Sequence, residues 1–268
     1  MVRRFFSFLG NLHKNRYMIM SLAGRELKQQ YTGSFLGVIW AVIHPLVMVM
    51  LYYFVFSFVF GPKVKASYGT DSFALWLLCG LVPWFYFNGS VGRASGAVVL
   101  NKSLVTKTQF PSEVFPVVII MANVVGHAVG LMMVLITIIL TGGGLTPYVL
   151  LVPVYFVLMS VMVLGLGWIF SSLNVFVRDV GPLVTILLSF LNFFTPIFWP
   201  PSIIPEQFRG ILELNPLFHV VEGYRACIIS GTFPGVMSLA YLTVFTAFVF
   251  ITGGLLFKRL KPAFADVL

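Results

Sequence analysis

The sequence predicts an all-α polytopic membrane protein, and three observations carry that prediction. The 268-residue chain is 59% hydrophobic and only 9% charged, with a mean hydropathy of +0.98, whereas soluble domains are roughly a quarter charged. Apolar runs of about 20 residues recur along it, each long enough to cross a hydrocarbon core of about 30 Å as a helix. The runs are solid, unlike the short alternating segments of a transmembrane β-barrel.

Six spans are expected, near residues 36–60, 72–100, 114–140, 148–175, 182–199 and 237–257. The first begins behind a charged stretch, which is not the pattern of a cleaved signal peptide. The net charge of +9 does not point to nucleic acid, because the cations flank apolar spans and read as topology. With the N-terminus inside, 13 of the 17 Lys and Arg fall on the cytoplasmic side, leaving Lys63, Lys65, Arg209 and Arg225 outside. Both termini are therefore expected in the cytoplasm. Cys79 and Cys227 are too few for a disulfide framework or a zinc site and read as small apolar residues.

Residues 1–35 interleave Leu12, Tyr17, Met20 and Leu22 with cations, the composition of an amphipathic helix lying along the inner headgroup layer. Residues 200–236 form the longest stretch that does not span. Five prolines divide it, and its apolar part, from Pro216 to Ile229, is about 14 residues long. That length suits a re-entrant or interfacial helix better than a crossing. A first short helix is expected before it, Asn215–Pro216 as cap and first turn of a second, and Gly231 as its stop. Residues 258–268 are a short cytoplasmic tail. The whole is one membrane domain.

Sequence signals for an enzyme are missing: there is no phosphate-binding glycine loop, no H-E-x-x-H and no G-x-S-x-G. His219, Glu222 and Arg225 recur every three residues, a spacing that stacks side chains along one helix face. His219 and Glu222 could offer two metal ligands, but a third is not evident nearby. The pair Glu222–Arg225 reads as a tie between two short helices or as charge at an exit. Within the spans, Gly92-x-x-x-Gly96 is a packing signal, Arg93 lies close enough to the inner end to snorkel, and Asn123 and His127 read as interhelical hydrogen-bonding groups. Between spans two and three, "NKSLVTKTQFPSEVFPVV", with Pro111 and Pro116 bracketing Glu113 and Phe115, reads as a short helix on the inner surface. "VFVRDVGP", between spans four and five, is a tight elbow with adjacent opposite charges. Short rigid corners of that kind can transmit force from a partner. Aromatics cluster at "YYFVFSFVF" and "FLNFFTPIFW", as interface anchors or as faces on which sugar rings can stack.

Taken together, these stretches resemble the membrane subunit of type-two ATP-binding-cassette exporters of polysaccharides, the group that moves O-antigen, capsular polysaccharide and teichoic acid. The likeness lies in Arg25, Tyr31, Ser34, Leu36, Gly37, Trp40 and Pro45, in "FPSEVFP", in Arg178–Asp179, and in "NPLFHVVEGYR" with Asn215, Pro216, His219, Glu222 and Arg225.

The resemblance implies a homodimeric permease in the bacterial inner membrane, part of lipopolysaccharide or capsule biosynthesis, with the pore at the dimer interface. Two copies of a separate ATPase would dock from the cytosol and carry the ATP and Mg, so this chain needs no cofactor. By similarity, ATPase coupling falls to Arg25, Glu26, Lys107, Phe110, Pro111, Glu113, Arg178 and Asp179. The two short helices of the 200–236 region would form an outer gate with Asn215, Pro216, His219, Glu222 and Arg225. Tyr52, Tyr53, Phe56, Phe190, Phe193, Phe194, Phe198 and Trp199 are candidates to line the passage. The cargo implied is a lipid-linked polysaccharide. Alternatives are an exporter of a drug or small lipid, or a membrane-embedded glycosyl- or acyltransferase using His219 and Glu222.

Overall fold

The computed structural model describes residues 10–55, 58, 72–107 and 110–268. Helix α1, Arg16–Gln29, precedes a single 3-10 turn, Gly37–Ile39, where Gly37 sits at a φ of 53° that favours glycine. Helix α2, Trp40–Phe54, carries Pro45 inside it. Helix α3, Phe73–Ser95, is capped by the Ser72 hydroxyl, which accepts from the Leu75 amide. The expected second span to residue 100 is interrupted at Gly96: α4, Ala97–Leu100, and α5, Lys102–Lys107, continue as separate short helices. The break follows the cluster of Gly92, Ser95 and Gly96, which favours termination over propagation.

Helix α6 runs Val114–Leu140 and coincides with the expected third span. A 3-10 turn, Pro147–Leu151, leads into α7, Val152–Phe176. Helix α8, Val180–Phe194, ends five residues before the expected limit of the fifth span. Then come α9, Glu206–Glu213, and α10, Pro216–Arg225, followed by a π-helical turn, Ala226–Ser230. Gly231, with a φ of 59°, stops the segment. Helix α11, Val236–Leu260, and a last turn, α12, Phe264–Val267, complete the chain.

Among the described residues five of these segments are long and apolar enough to cross a membrane; the remaining expected span, the fifth, is α8, with 15 residues, or about 22 Å. No strand occurs among the described residues.

Helix α3 is the hub. In its most apolar stretch 83% of the residues are buried, against 11% for Gly37–Phe54. It packs against α2, α6, α7, α8 and α10. Helices α7 and α11 form a close pair, made possible by glycine. A Cβ on Gly165 would lie 2.6 Å from the Val249 carbonyl oxygen, and one on Gly253 2.3 Å from that of Gly165. Small residues permit such backbone contact where lipid supplies no hydrophobic drive between helices. Helix α1 lies against α6, burying Ile19 and Ala23 with Val114 and Val118.

Candidate functional site

The region of residues 195–230 is organised by one buried cation. Backbone beyond α8 turns extended at Thr195, so the carbonyls of Pro196 and Ile197 have no helical partners. Buried carbonyls must still be paired, above all beside lipid. Arg225, only 3% exposed, supplies the donors. Its Nη1 donates to the Pro196 carbonyl at 2.6 Å and to Glu222 Oε1 at 2.8 Å, Nη2 to Ile197 at 3.0 Å, and Nε to the Trp76 carbonyl of α3 at 3.3 Å. The guanidinium carbon lies 3.3 Å from the Trp76 ring centroid. A planar, permanently charged fork suits this task; an ammonium does not. Gly80 makes room, since a Cβ there would stand 2.9 Å from Nη2.

Asn215 fastens the other end of α10. Its side-chain oxygen caps the helix by accepting from the Leu217 amide at 3.0 Å, while its amide nitrogen donates to Thr195 Oγ1 at 2.9 Å. Pro216 takes the first helical position, where no amide hydrogen is needed. Helix α10 thus grips the segment after α8 at two points, Thr195 and Pro196–Ile197.

His219 faces elsewhere. Its Nε2 donates to the Glu213 carbonyl at 2.7 Å, and Nδ1 accepts from the Ser238 hydroxyl at 2.7 Å, tying α10 to the end of α9 and the start of α11. Desolvation holds this imidazole below its ordinary range. The single face expected for His219, Glu222 and Arg225 is therefore split. Each step of three turns a side chain back by about 60°, so the outer two stand about 120° apart. Glu222 is 35% exposed and borders a cavity of about 300 Å³ with Trp76, Pro200, Ser202 and Ile229.

At the opposite end of the bundle, the coupling candidates fall into two sets. Glu26 of α1 pairs with Arg93 of α3, which also donates to Asn123 at 3.4 Å. Glu113, 1% exposed, accepts from Lys261 at 2.6 Å, and its backbone carbonyl accepts from the Trp168 indole at 3.1 Å. These two acids hold elements of this chain to one another. Phe110 stacks on Phe115 with centroids 4.9 Å apart, beside half-buried Pro111. Arg25, Lys107, Arg178 and Asp179 are exposed and, among the described residues, form no ion pair.

The aromatic candidates also divide. Phe190 and Phe193 are 63% and 71% exposed. Phe190 stacks on Phe194 at 5.5 Å, and Phe193 lies 6.5 Å from Phe198, while the Trp199 indole donates to the Phe193 carbonyl at 3.2 Å. Tyr52 lies 6.2 Å from Phe85, and Tyr53 is half-buried. Phe56 lies outside the described residues. Helices α2 and α8 flank α3 and keep wide apolar faces uncovered, including Met50, Leu51 and Phe54 on one and Leu183, Ile186 and Phe190 on the other.

Three partners escaped the sequence reading. Trp76 and Thr195 carried no signal beyond apolar context, and Lys261 was counted only as a flanking cation.

Residues 17–229 match the family described as ABC-2 type transporter. The chain belongs to the ABC-2 type transporter family. It is 28% identical over 257 residues to an O-antigen export system permease protein, RfbA, of Myxococcus xanthus, covering 95% of this chain and 96% of the relative. A Klebsiella pneumoniae protein of the same name is 29% identical, with 94% and 95% covered. The polysialic acid transport protein KpsM of Escherichia coli is 27% identical, with 89% and 92% covered. The ABC-2 region takes in α1, the hub helix and the Arg225 clamp, and stops just short of Gly231. This family of membrane permeases accounts for the apolar helices and for the resemblance carried by "NPLFHVVEGYR".

Proposed function

We propose that the chain is the transmembrane subunit of an ATP-driven exporter that moves lipid-linked polysaccharide, of O-antigen, capsule or teichoic-acid type, across the bacterial inner membrane. The observation that carries this reading is the similarity, nearly end to end, to permeases of O-antigen and polysialic acid. Two copies of the chain assemble with two copies of a separate ATPase, which holds ATP and Mg. The uncovered faces of α2 and α8 then meet those of the second copy around the passage, with Phe190 and Phe193 turned toward it.

Helix α8 counts as the sixth crossing, extended through residues 195–199, and the even number returns both termini to the cytoplasm. The Lys and Arg distribution supports that orientation. Helices α9 and α10 enter the membrane from the outer side without crossing it and form the gate. Arg25, Lys107, Arg178 and Asp179 are the exposed groups for ATPase contact; Glu26 and Glu113 transmit the push to α3 and α11.

The transferase alternative has less support. Both ring nitrogens of His219 are engaged, with Glu213 and Ser238, which leaves no free base beside Glu222. A drug or small-lipid exporter shares the family but not the named relatives.

Affinity purification of this chain together with a candidate partner ATPase from the same organism tests the assembly. A stable 2:2 complex that restores surface glycan to a strain lacking this chain is the expected result. A monodisperse monomer that restores glycan without the ATPase overturns the proposal.

A further inference from the structure

A second cavity, of about 290 Å³, lies between α1, α2, α3 and α6, away from the Arg225 clamp. Its floor is Gln30 and Tyr31, beyond the end of the interface helix, and its roof is Gly130 of α6 packed on Val82 of α3. The size is at the low end of small-molecule sites, roughly 300–1,000 Å³, and would otherwise hold about ten waters.

The lining is mixed in a specific way. Phe85 and Tyr86 offer ring faces, and Gly126 leaves open space, since a Cβ there would meet nothing within 4 Å. Around them stand neutral polar groups. Gln30 has a buried Nε2 without a partner among the described residues. The side chains of Tyr31, His44 and Asn88 make no hydrogen bond among the described residues. Donors and acceptors inside a membrane domain are costly unless something pairs with them. Among the described residues no Asp, Glu, Lys or Arg lines the cavity. The nearby cation, Arg93, is already paired with Glu26. An anionic phosphate would therefore find no counter-charge, whereas a ring with hydroxyls on its rim and C–H groups on its face matches the lining group for group.

We propose that this cavity is a binding site for a neutral sugar ring. It deepens the reading of the chain as a glycan exporter and rests on it, but places the ring inside one protomer, between α2, α3 and α6, and not in the passage shared by two copies. His127 borders the cavity and bonds to the Tyr224 hydroxyl of α10 at 2.9 Å, so an occupied cavity touches the gate helix through one side chain.

The test uses the full chain purified with its ATPase in phosphatidylcholine nanodiscs and a diazirine-bearing octyl glucoside. Photolabel is expected on peptides containing residues 85–89 and 123–130. Gly126→Leu, which fills the space, should reduce it about tenfold or more. Asn88→Ala, at an exposed residue that bonds to no neighbour, should reduce it about fivefold. Unlabelled octyl glucoside should compete; free glucose competing equally identifies a soluble sugar as the source, and failing to compete identifies a lipid headgroup. Equal competition by octyl phosphocholine, labelling unchanged in both variants, or label only outside the cavity overturns the site. Absence of label from the wild-type cavity with ATP-driven glycan export intact refutes the site alone. Label retained without export refutes the exporter reading instead.

Discussion

Replacing Arg225 by alanine should open the outer region, and the structure sets the scale. The change strips the donors from the carbonyls of Pro196, Ile197 and Trp76. Interhelical hydrogen bonds in membranes are worth about 0.6 to 1.7 kcal/mol each, so three amount to roughly 2–5 kcal/mol. The stacking on Trp76 adds about 0.5–2 kcal/mol. Glu222, a third exposed, can be hydrated and adds little. A loss of about 3 kcal/mol in local opening corresponds to an increase of about 100-fold in the open population.

The protein carries its own reporters. Cys227 follows Arg225 by two residues, Cys79 adjoins Gly80, and both are buried and free. Maleimide labelling of either thiol under native conditions should accelerate about 100-fold in Arg225→Ala. In Arg225→Lys it should accelerate about tenfold, since one ammonium keeps the charge but cannot reach carbonyls on opposite sides of the fork. Wild-type labelling rates in Arg225→Ala would refute the clamp. Equality of Arg225→Lys with wild type would show that charge alone suffices.

Gly165→Ala and Gly253→Ala should each lower the melting temperature in detergent, by the equivalent of about 1–3 kcal/mol of overpacking, while Gly24→Ala, where a Cβ meets nothing, should not. His219→Asn should weaken the junction of α9, α10 and α11. Because burial lowers the folded pKa of His219, its contribution is complete above the ordinary value of about 6.5 and declines as pH falls below it; the melting difference between wild type and variant should shrink from pH 7.5 to pH 5.5. Arg178→Ala should leave the ATPase bound but uncouple hydrolysis from export in a transport assay. Glu113→Gln should do the same with some loss of stability, because Lys261 loses its partner.

The legible part of the fold is where the chain's own punctuation decides the outcome. Helix α6 matches its expected limits because Pro111 and Pro116 bracket its start and Gly142–Gly144 follow its end. Asn215, Pro216 and Gly231 likewise delimit α10 together with the π-helical turn after it by local rules alone. The fifth expected span runs five residues past its helix because apolar character continues through Phe198. What ends the helix is Thr195–Pro196, and what holds the extended segment is an arginine 29 residues away. No local pattern announces such a contact. The same holds for the two glycines Gly126 and Gly130, one turn apart and identical in sequence terms. One faces open space and the other Val82 of α3. The family signature was legible in several motifs; which of its charges stay exposed and which tie the chain to itself was set by Arg93 and Lys261, neither of which the motifs include.

The central claim is that this chain forms a passage for lipid-linked glycan worked by a separate ATPase, and the most direct measurement is flux in proteoliposomes. Fluorescent lipid-linked oligosaccharide should move across the bilayer only when this chain, the ATPase and hydrolysable ATP are all present, and should stop with a non-hydrolysable analogue. Movement by this chain alone, at the same rate with or without ATP, would contradict the account.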